Sequence, residues 1–357
     1  MLQLQEIWRD GYAERFVDDW KGGKCPRYLF GTNQLAGDLA ETMDADGFIN
    51  TVSELAEFKG KPVVHSLEDV PEDSLVVACN VLGKINQVDA WLSQYSFRHL
   101  EAPRFVNLAG IQVKITYFSG FAEDILVHLD AYRHIFERLE DMESRNVFYN
   151  LVNYRLSGSW RYLRGFADLR GRQYFEDFLE LSPETVFADI GGYHGETSLE
   201  FIKRNPDYGR IHFFEPEPDN LKCAQEVLKD FRDIEFIEKA CSNRKGKVSF
   251  IADGSASKII QNSIDSDRCI DANLFDDMVS GRVDFIKMDI EGAEGTALAG
   301  MERSIQKWHP TLAVCVYHRP DDFRVLPKQV LDIRDDYRVF MRHYSEGVTE
   351  TVMFFMP

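Results

Sequence analysis

Four short stretches of this 357-residue chain gather residue types that do chemistry. The first, VFADIGGYHGETS (186–198), is an apolar run that ends on Asp189 and passes through Gly191, Gly192, Tyr193 and Gly195 into a polar helix start. A strand, a glycine turn and a helix in that order present backbone N–H groups and a helix N-terminus to a ligand. Dinucleotide turns read G-x-G-x-x-G, which lets the backbone approach a pyrophosphate. Here Tyr193 stands at the second glycine position. A carboxylate at the strand end would also repel a pyrophosphate and favour a ligand with positive charge and no phosphate, as in S-adenosylmethionine. On charge grounds the turn favours that cofactor over NAD. Asp189, Gly191, Gly192, Tyr193 and Gly195 are its expected contacts, and His194 is expected to line the pocket rather than to move protons.

The second stretch, HFFEPEPDN, places Glu215 about 20 residues beyond the glycines, where nucleoside-binding folds set an acid against ribose hydroxyls. A carboxylate can accept two hydrogen bonds from a vicinal diol. The third, VDFIKMDIEGAEGTALAGM (283–301), is an apolar strand broken by Lys287 and ending in Asp289, with Glu291 and Glu294 beyond it. Ligands of open parallel sheets sit beyond the carboxyl ends of the strands, which makes Asp289 and Glu291 candidates for the cleft and Asp289 a further cofactor contact. Lysine is rarely buried without a partner, so Lys287 is expected to meet a carboxylate or reach the cleft. Glu291 and Glu294 also suit the first turn of a helix through its dipole. The fourth, LAVCVYHRPDDF, sets His318 directly after a strand. Its ordinary pKa makes it the first candidate general base, ahead of Asp289 and Glu291. No ligand spacing points to a metal, and no metal ligands are assigned, although the sequence leaves a divalent ion held by these acids open.

These residues need elements to carry them. From residue 171 onward strands are expected at 185–190, 210–215, 234–238, 247–251, 283–288, 311–317, 337–343 and 351–355, with helices near 196–204, 218–230, 293–306 and 325–335. Upstream, RYLFG, a helix at 33–43, GFIN and two extended segments in 61–80, followed by a helix at 84–97, alternate in the manner of a parallel sheet. Between the two, residues 120–165 show helical spacing without strands, with a break near Ser144. This connector is expected to take some part in the cleft. A short helix and a flexible KGGK joint fill residues 1–24. The domains are thus expected at 1–26 (helix and joint), 27–110 (small Rossmann-like domain), 111–170 (helical connector) and 171–357.

Bulk properties narrow the field. The formal net charge is -18, the wrong sign for non-specific nucleic-acid binding or for an anionic membrane surface. The local basic turns RNPDYGR and NRKGK read as solvated surface. Six cysteines without a CxxC pair, no basic-flanked leader and no apolar run of membrane length suit a cytoplasmic enzyme. Its partner is expected to be a small-molecule or glycan acceptor, with no nucleic acid and no membrane span. The sequence leaves a homo-oligomer open.

Together the four stretches resemble the FkbM family of S-adenosylmethionine-dependent methyltransferases. IKMDIEGAE looks like its most specific signature, and the similarity runs from about 171 to 357. That resemblance implies an α/β fold, with a class I methyltransferase Rossmann-like sheet whose last strand is antiparallel, and O-methyl transfer to a sugar, sugar-nucleotide or glycan hydroxyl. It supports Asp189, Gly191 and Gly195 around the methionine moiety and Glu215 at the ribose. GGYHG departs from the Ala–Asn pair of many members. The N-terminal unit is similar to small Rossmann-like domains that precede bacterial sugar acyltransferases. Its loop keeps Gly31 and Gly37 but carries Asn33, Ala36 and Asn50 where those domains have glycines and an acid, which leaves nucleotide binding set against a structural or docking role. Two rival functions stand beside methyl transfer: a non-catalytic sugar-nucleotide-binding or assembly protein, and an NAD-dependent sugar-nucleotide oxidoreductase. Neither strand-end region carries the Tyr-x-x-x-Lys pair that the latter would use.

Overall fold

The computed structural model describes residues 10–251, 258–260 and 268–357. Tertiary contacts divide the chain into two units. One comprises Met1–Leu129, Asn146–Arg170 and His343–Thr349; the other comprises Asp130–Arg145, Gly171–Arg342 and Glu350–Pro357. The connector read at 111–170 therefore contributes to both. Among the described residues no helix is long and apolar enough to cross a membrane.

The first unit holds β1 (Arg27–Phe30), β2 (Gly47–Ile49), β3 (Glu57–Phe58), β4 (Lys61–Val64), β5 (Leu75–Ala78) and β6 (Arg98–Glu101), in the order β3-β4-β2-β1-β5-β6. All neighbours are parallel except β3 and β4. All four residues of β5 (LVVA) are buried, the continuous apolar run of a strand covered on both faces. The sequence reading omitted β3 and β6 because neither has such a run: β3 is two residues long, and RHLE buries only Leu100. The helix Gly11–Gly22 starts at Asp10, whose carboxylate accepts from the N–H groups of Tyr12 and Ala13. Residues 1–9 of the helix expected over 1–24 lie outside the described residues. In the turn after β1, the Asn33 side chain accepts from Ala36 N and donates to the Cys79 carbonyl. Asn50 donates to Thr32 and accepts from Val52 N and Ser53 N. The two asparagines thus take up the hydrogen bonds of this degenerate loop.

The second unit holds β7 (Val186–Ile190), β8 (Arg210–Phe214) and β9 (Ile234–Ile237). A small sheet follows, made of β10 (Ala240–Cys241), β11 (Gly246–Ile251), β12 (Lys258–Ile260) and β13 (Arg268–Asn273), and then come β14 (Phe285–Met288), β15 (Thr311–Cys315), β16 (Arg338–His343) and β17 (Thr351–Met356). The main sheet has seven strands in the order β16-β17-β15-β14-β7-β8-β9, parallel from β9 to β15 with β17 antiparallel to β15. This is the class I methyltransferase-like arrangement. The chain leaves β7 towards β8 on one side and returns to β14 on the other, so a topological switch point lies between β7 and β14.

Several local expectations change. The four-stranded sheet β10-β13-β11-β12 was legible only as β11, because β10 and β12 are too short to show a pattern. The helix expected at 293–306 is two helices, Glu294–Ala299 and Glu302–Trp308. They part at Gly300, where a Cβ would stand 2.0 Å from the Ser242 carbonyl oxygen. The helix at 325–335 is Asp322–Ile333 and runs through Pro327. The break near Ser144 falls earlier, between helices Leu129–Arg138 and Met142–Ser157. Ser144 sits in a first turn, with its N–H donating 2.7 Å to Asp141 Oδ1.

At the centre of the main sheet, register sets Lys287 on β14 opposite Asp189 on β7. Both side chains are buried, and Lys287 Nζ lies 3.1 Å from Asp189 Oδ1. The other Asp189 oxygen accepts from Ser198 Oγ at 2.7 Å, while Nζ donates to the Gly191 carbonyl at 2.6 Å. Burial works against the Lys287 charge, but the Asp189 and Asp289 carboxylates outweigh it and hold the ammonium protonated above its ordinary range. Removing one member of such a pair leaves a buried unpaired charge, at a cost of about 3–5 kcal/mol. Equilibrium urea unfolding should therefore show Asp189→Ala and Lys287→Met each destabilised by about that amount, with the double variant recovering a large part of the loss. Purely additive losses would mean that the two charges are not coupled.

Candidate active site

The glycine turn leaves β7 under tight steric control. Gly191 has φ +82°, and a Cβ there would stand 1.9 Å from the Asp289 carbonyl oxygen. At Gly192 a Cβ would stand 2.3 Å from the Phe213 ring. The turn thus packs against the Asp289 backbone at Gly191 and against the Phe213 ring at Gly192, which leaves no room for a larger residue at either position. Tyr193 takes φ +48° and stacks on His194, with ring centroids 3.7 Å apart. Gly195 then begins the helix Glu196–Arg204.

Glu215, directly after β8, is buried and bridges two turns. Its Oε2 accepts from Tyr193 N at 3.0 Å and its Oε1 from Glu217 N at 2.9 Å. Burial pushes its carboxyl pKa up, and these backbone donors partly offset the rise. The Asn220 side chain donates to the carboxylate as well, and the roughly four acceptor positions of a carboxylate leave room for a further donor such as a ribose hydroxyl.

Asp289, Glu291 and His318 converge after β14 and β15. Tyr174, a residue the sequence reading missed, donates its hydroxyl to Asp289 Oδ2 at 2.8 Å. Burial keeps that phenol protonated, with the Asp289 charge adding to the effect. His318 Nε2 lies 3.5 Å from both Asp289 Oδ1 and Glu291 Oε2, and Nδ1 lies 3.0 Å from Glu294 Oε1. Glu294 also accepts from Ile290 N, so it does more than favour a helix dipole. Next to it, burial and the Glu294 charge raise Asp322 to about 7. Glu291 holds φ +55°, a left-handed conformation that turns the chain at this point. From the connector segment, the Tyr132 hydroxyl donates to the Pro320 carbonyl in the same loop as His318.

The geometry bears on two of the expectations. The first concerns Asp189, which is fully buried against Lys287 and Ser198. Its charge is compensated inside the sheet, so it cannot by itself discriminate a sulfonium from a pyrophosphate. It positions the turn from below. The second concerns His318 as first base. Burial opposes its charge, but Glu294, Asp289 and Glu291 outweigh burial and push the imidazole up to about 10. At neutral pH it is an imidazolium with no lone pair to take a proton. Its side chain is only 2% exposed, against 22% for Asp289 and 17% for Glu291, so the carboxylates are the more accessible groups. The fold also does what spacing did not indicate. It brings ligand atoms of Asp289, Glu291 and His318 within 4.8 Å of one another, a donor set that could hold a divalent cation only with His318 deprotonated, and it groups Glu294, His318 and Asp322 in the same way.

Comparison with known proteins bears on the same region. Residues 189–344 match the family described as Methyltransferase FkbM domain. Over 148 residues, 35% of this chain, the sequence is 26% identical to 2-O-methyltransferase NoeI of Sinorhizobium fredii, and it spans 60% of that protein's length. The crystal structure of methyltransferase FkbM from Methylobacillus flagellatus KT superposes with a TM-score of 0.78 at 23% identity, covering 97% of this chain and 93% of that one. The last likeness is one of fold.

The His318 environment has a measurable consequence. Its folded pKa lies above the unfolded value of about 6.5. The stability it contributes is therefore fully present below pH ~6.5 and is lost as pH rises through about 10. In chelator-treated protein, the His318 imidazole resonances should titrate far on the alkaline side of an ordinary histidine. A midpoint near 6.5 would show that the carboxylates do not hold its proton.

Proposed function

We propose that this chain, whose residues 189–344 carry a methyltransferase FkbM domain, transfers a methyl group from S-adenosylmethionine to a hydroxyl of a sugar, sugar nucleotide or glycan precursor. The observation that carries the reading is the convergence, at the carboxyl ends of β7, β8 and β14, of a packed glycine turn, a fixed ribose-type carboxylate and a two-carboxylate, one-histidine cluster. The 2-O-methyltransferase named among the relatives supports oxygen as the atom that is methylated. The sugar class rests on the family resemblance.

When bound, S-adenosylmethionine supplies a methyl group made electrophilic by its sulfonium. The chain's own residues do the rest. Glu215 accepts hydrogen bonds from a ribose diol and fixes the nucleoside end. The turn from Gly191 to Gly195 lies beside it, held by Lys287 through the Gly191 carbonyl. Asp289 and Glu291 orient the acceptor hydroxyl and take its proton as the oxygen attacks. Tyr174 and His318 hold those two carboxylates in place. Bringing oxygen and methyl to about 3–3.5 Å in line provides much of the rate. The NAD-dependent rival no longer fails on the charge of Asp189, which is compensated. It still lacks the second glycine, since Tyr193 occupies that position with its ring stacked on His194.

Calorimetric titration of the full chain with S-adenosylhomocysteine, NAD and a nucleotide sugar separates the readings. S-adenosylhomocysteine should bind, and Glu215→Ala should weaken it about ten- to hundredfold, the worth of a hydrogen bond to a charged group. NAD binding without S-adenosylhomocysteine binding would overturn methyl transfer. In turnover assays with labelled methyl donor, Asp289→Asn and Glu291→Gln should lower kcat more than His318→Gln lowers it. The reverse order would restore His318 as the base.

A further inference from the structure

A cleft beside the carboxylate cluster is bordered by the side chains of Arg244 and Arg319. Arg244 belongs to the NRKGK turn between β10 and β11, which the sequence reading left as solvated surface. Arg319 directly follows His318. Its Nε lies 3.0 Å from where a Cβ on residue 292 would stand, so Gly292, at φ +92°, makes room for the guanidinium directly after Glu291. Ser242, Ala293 and Thr296 contribute to the walls, and among the described residues no carboxylate lines the cleft. Asp322 accepts from the Arg319 backbone N–H, and Glu294 is engaged with His318. Neither guanidinium is ion-paired among the described residues, in a chain whose formal net charge is -18. The enclosed space is about 10 Å³, room for one oxygen of a ligand whose remainder lies outside.

Arginine presents a planar fork of donors that matches carboxylate and phosphoryl oxygens. Such a fork next to Asp289 and Glu291 gives the site two poles, an acidic one for a hydroxyl and a cationic one for an anion. We propose that the methyl acceptor carries an oxyanion, phosphoryl or carboxylate, which Arg319 and Arg244 hold while its hydroxyl lies at Asp289 and Glu291. This rests on the methyl-transfer reading and narrows its substrate class to anionic acceptors, excluding neutral sugars.

The test uses the full chain saturated with S-adenosylhomocysteine and titrated by calorimetry with inorganic phosphate and, separately, with acetate, at constant ionic strength. Binding of at least one of them is expected, and the one that binds more tightly identifies the group as phosphoryl or carboxylate. Arg319→Gln and Arg244→Gln should each weaken it about tenfold, with S-adenosylhomocysteine affinity unchanged. Arg244 is exposed, so its variant keeps the test decisive even where Arg319→Gln fails to fold. Anion affinity equal in wild type and variants, or no binding of either ion to the loaded chain, overturns the proposal. Failure of S-adenosylhomocysteine itself to bind overturns the methyl-transfer reading instead.

Discussion

The ammonium of Lys287 lies where adjacent strands of the main sheet meet the glycine turn, and most of the candidate site is arranged around it. A charge in that position has to be neutralised within hydrogen-bond reach, because water cannot solvate it there. Asp189 neutralises it across the strand pair, and the Gly191 carbonyl takes one of its protons. Ser198 completes the Asp189 carboxylate from the following helix. Four points of the chain, on β7, the turn, the helix after it and β14, are thereby fixed to one another without a ligand. On the proposed reading, in which this turn meets a cofactor, such fixing is preorganisation, since little remains to be ordered on binding.

Above that node the electrostatics are of a different kind. Asp289, Glu291 and Glu294 surround a single imidazolium, and each carboxylate has its own anchor or its own opening. Tyr174 holds one Asp289 oxygen, Ile290 N–H holds Glu294, and Asp289 and Glu291 alone retain appreciable exposure. Histidine here is the counter-ion of an acidic cluster, and the more exposed groups are carboxylates. Arg244 and Arg319 line a cleft beside this cluster, and the Arg319 guanidinium packs against Gly292.

The sequence made much of the C-terminal unit legible. Strand ends carrying Asp189, Glu215, Asp289 and His318 were readable because each closes an apolar run, and β14 and β15 follow from the same pattern. Lys287 was conspicuous as a charge within such a run, and burial requires that it find a partner. What escaped was of two sorts. Short edge elements such as β3, β6 and β10 lack the length to show periodicity, and their pairing comes from the sheet that recruits them. Roles that depend on a distant partner were also hidden. Tyr174 lies far from Asp289 along the chain, and the raised pKa of His318 exists only once the carboxylates of residues 289–294 face it. Asp189 was conspicuous at its strand end, but its pairing with Lys287 depends on strand register, which the sequence does not display.

β17, although it follows β16 along the chain, lies between β15 and β16 in the sheet. During synthesis, β16 leaves the ribosome before the strand that will join it to the rest. Until residues 351–356 arrive, β15 presents an unpaired edge, and the loop carrying His318 extends from a strand that is only half enclosed. Folding of this unit therefore waits on β17, and a partly folded chain that lacks it exposes a bare apolar strand edge, the kind of surface that chaperones hold and aggregates grow from.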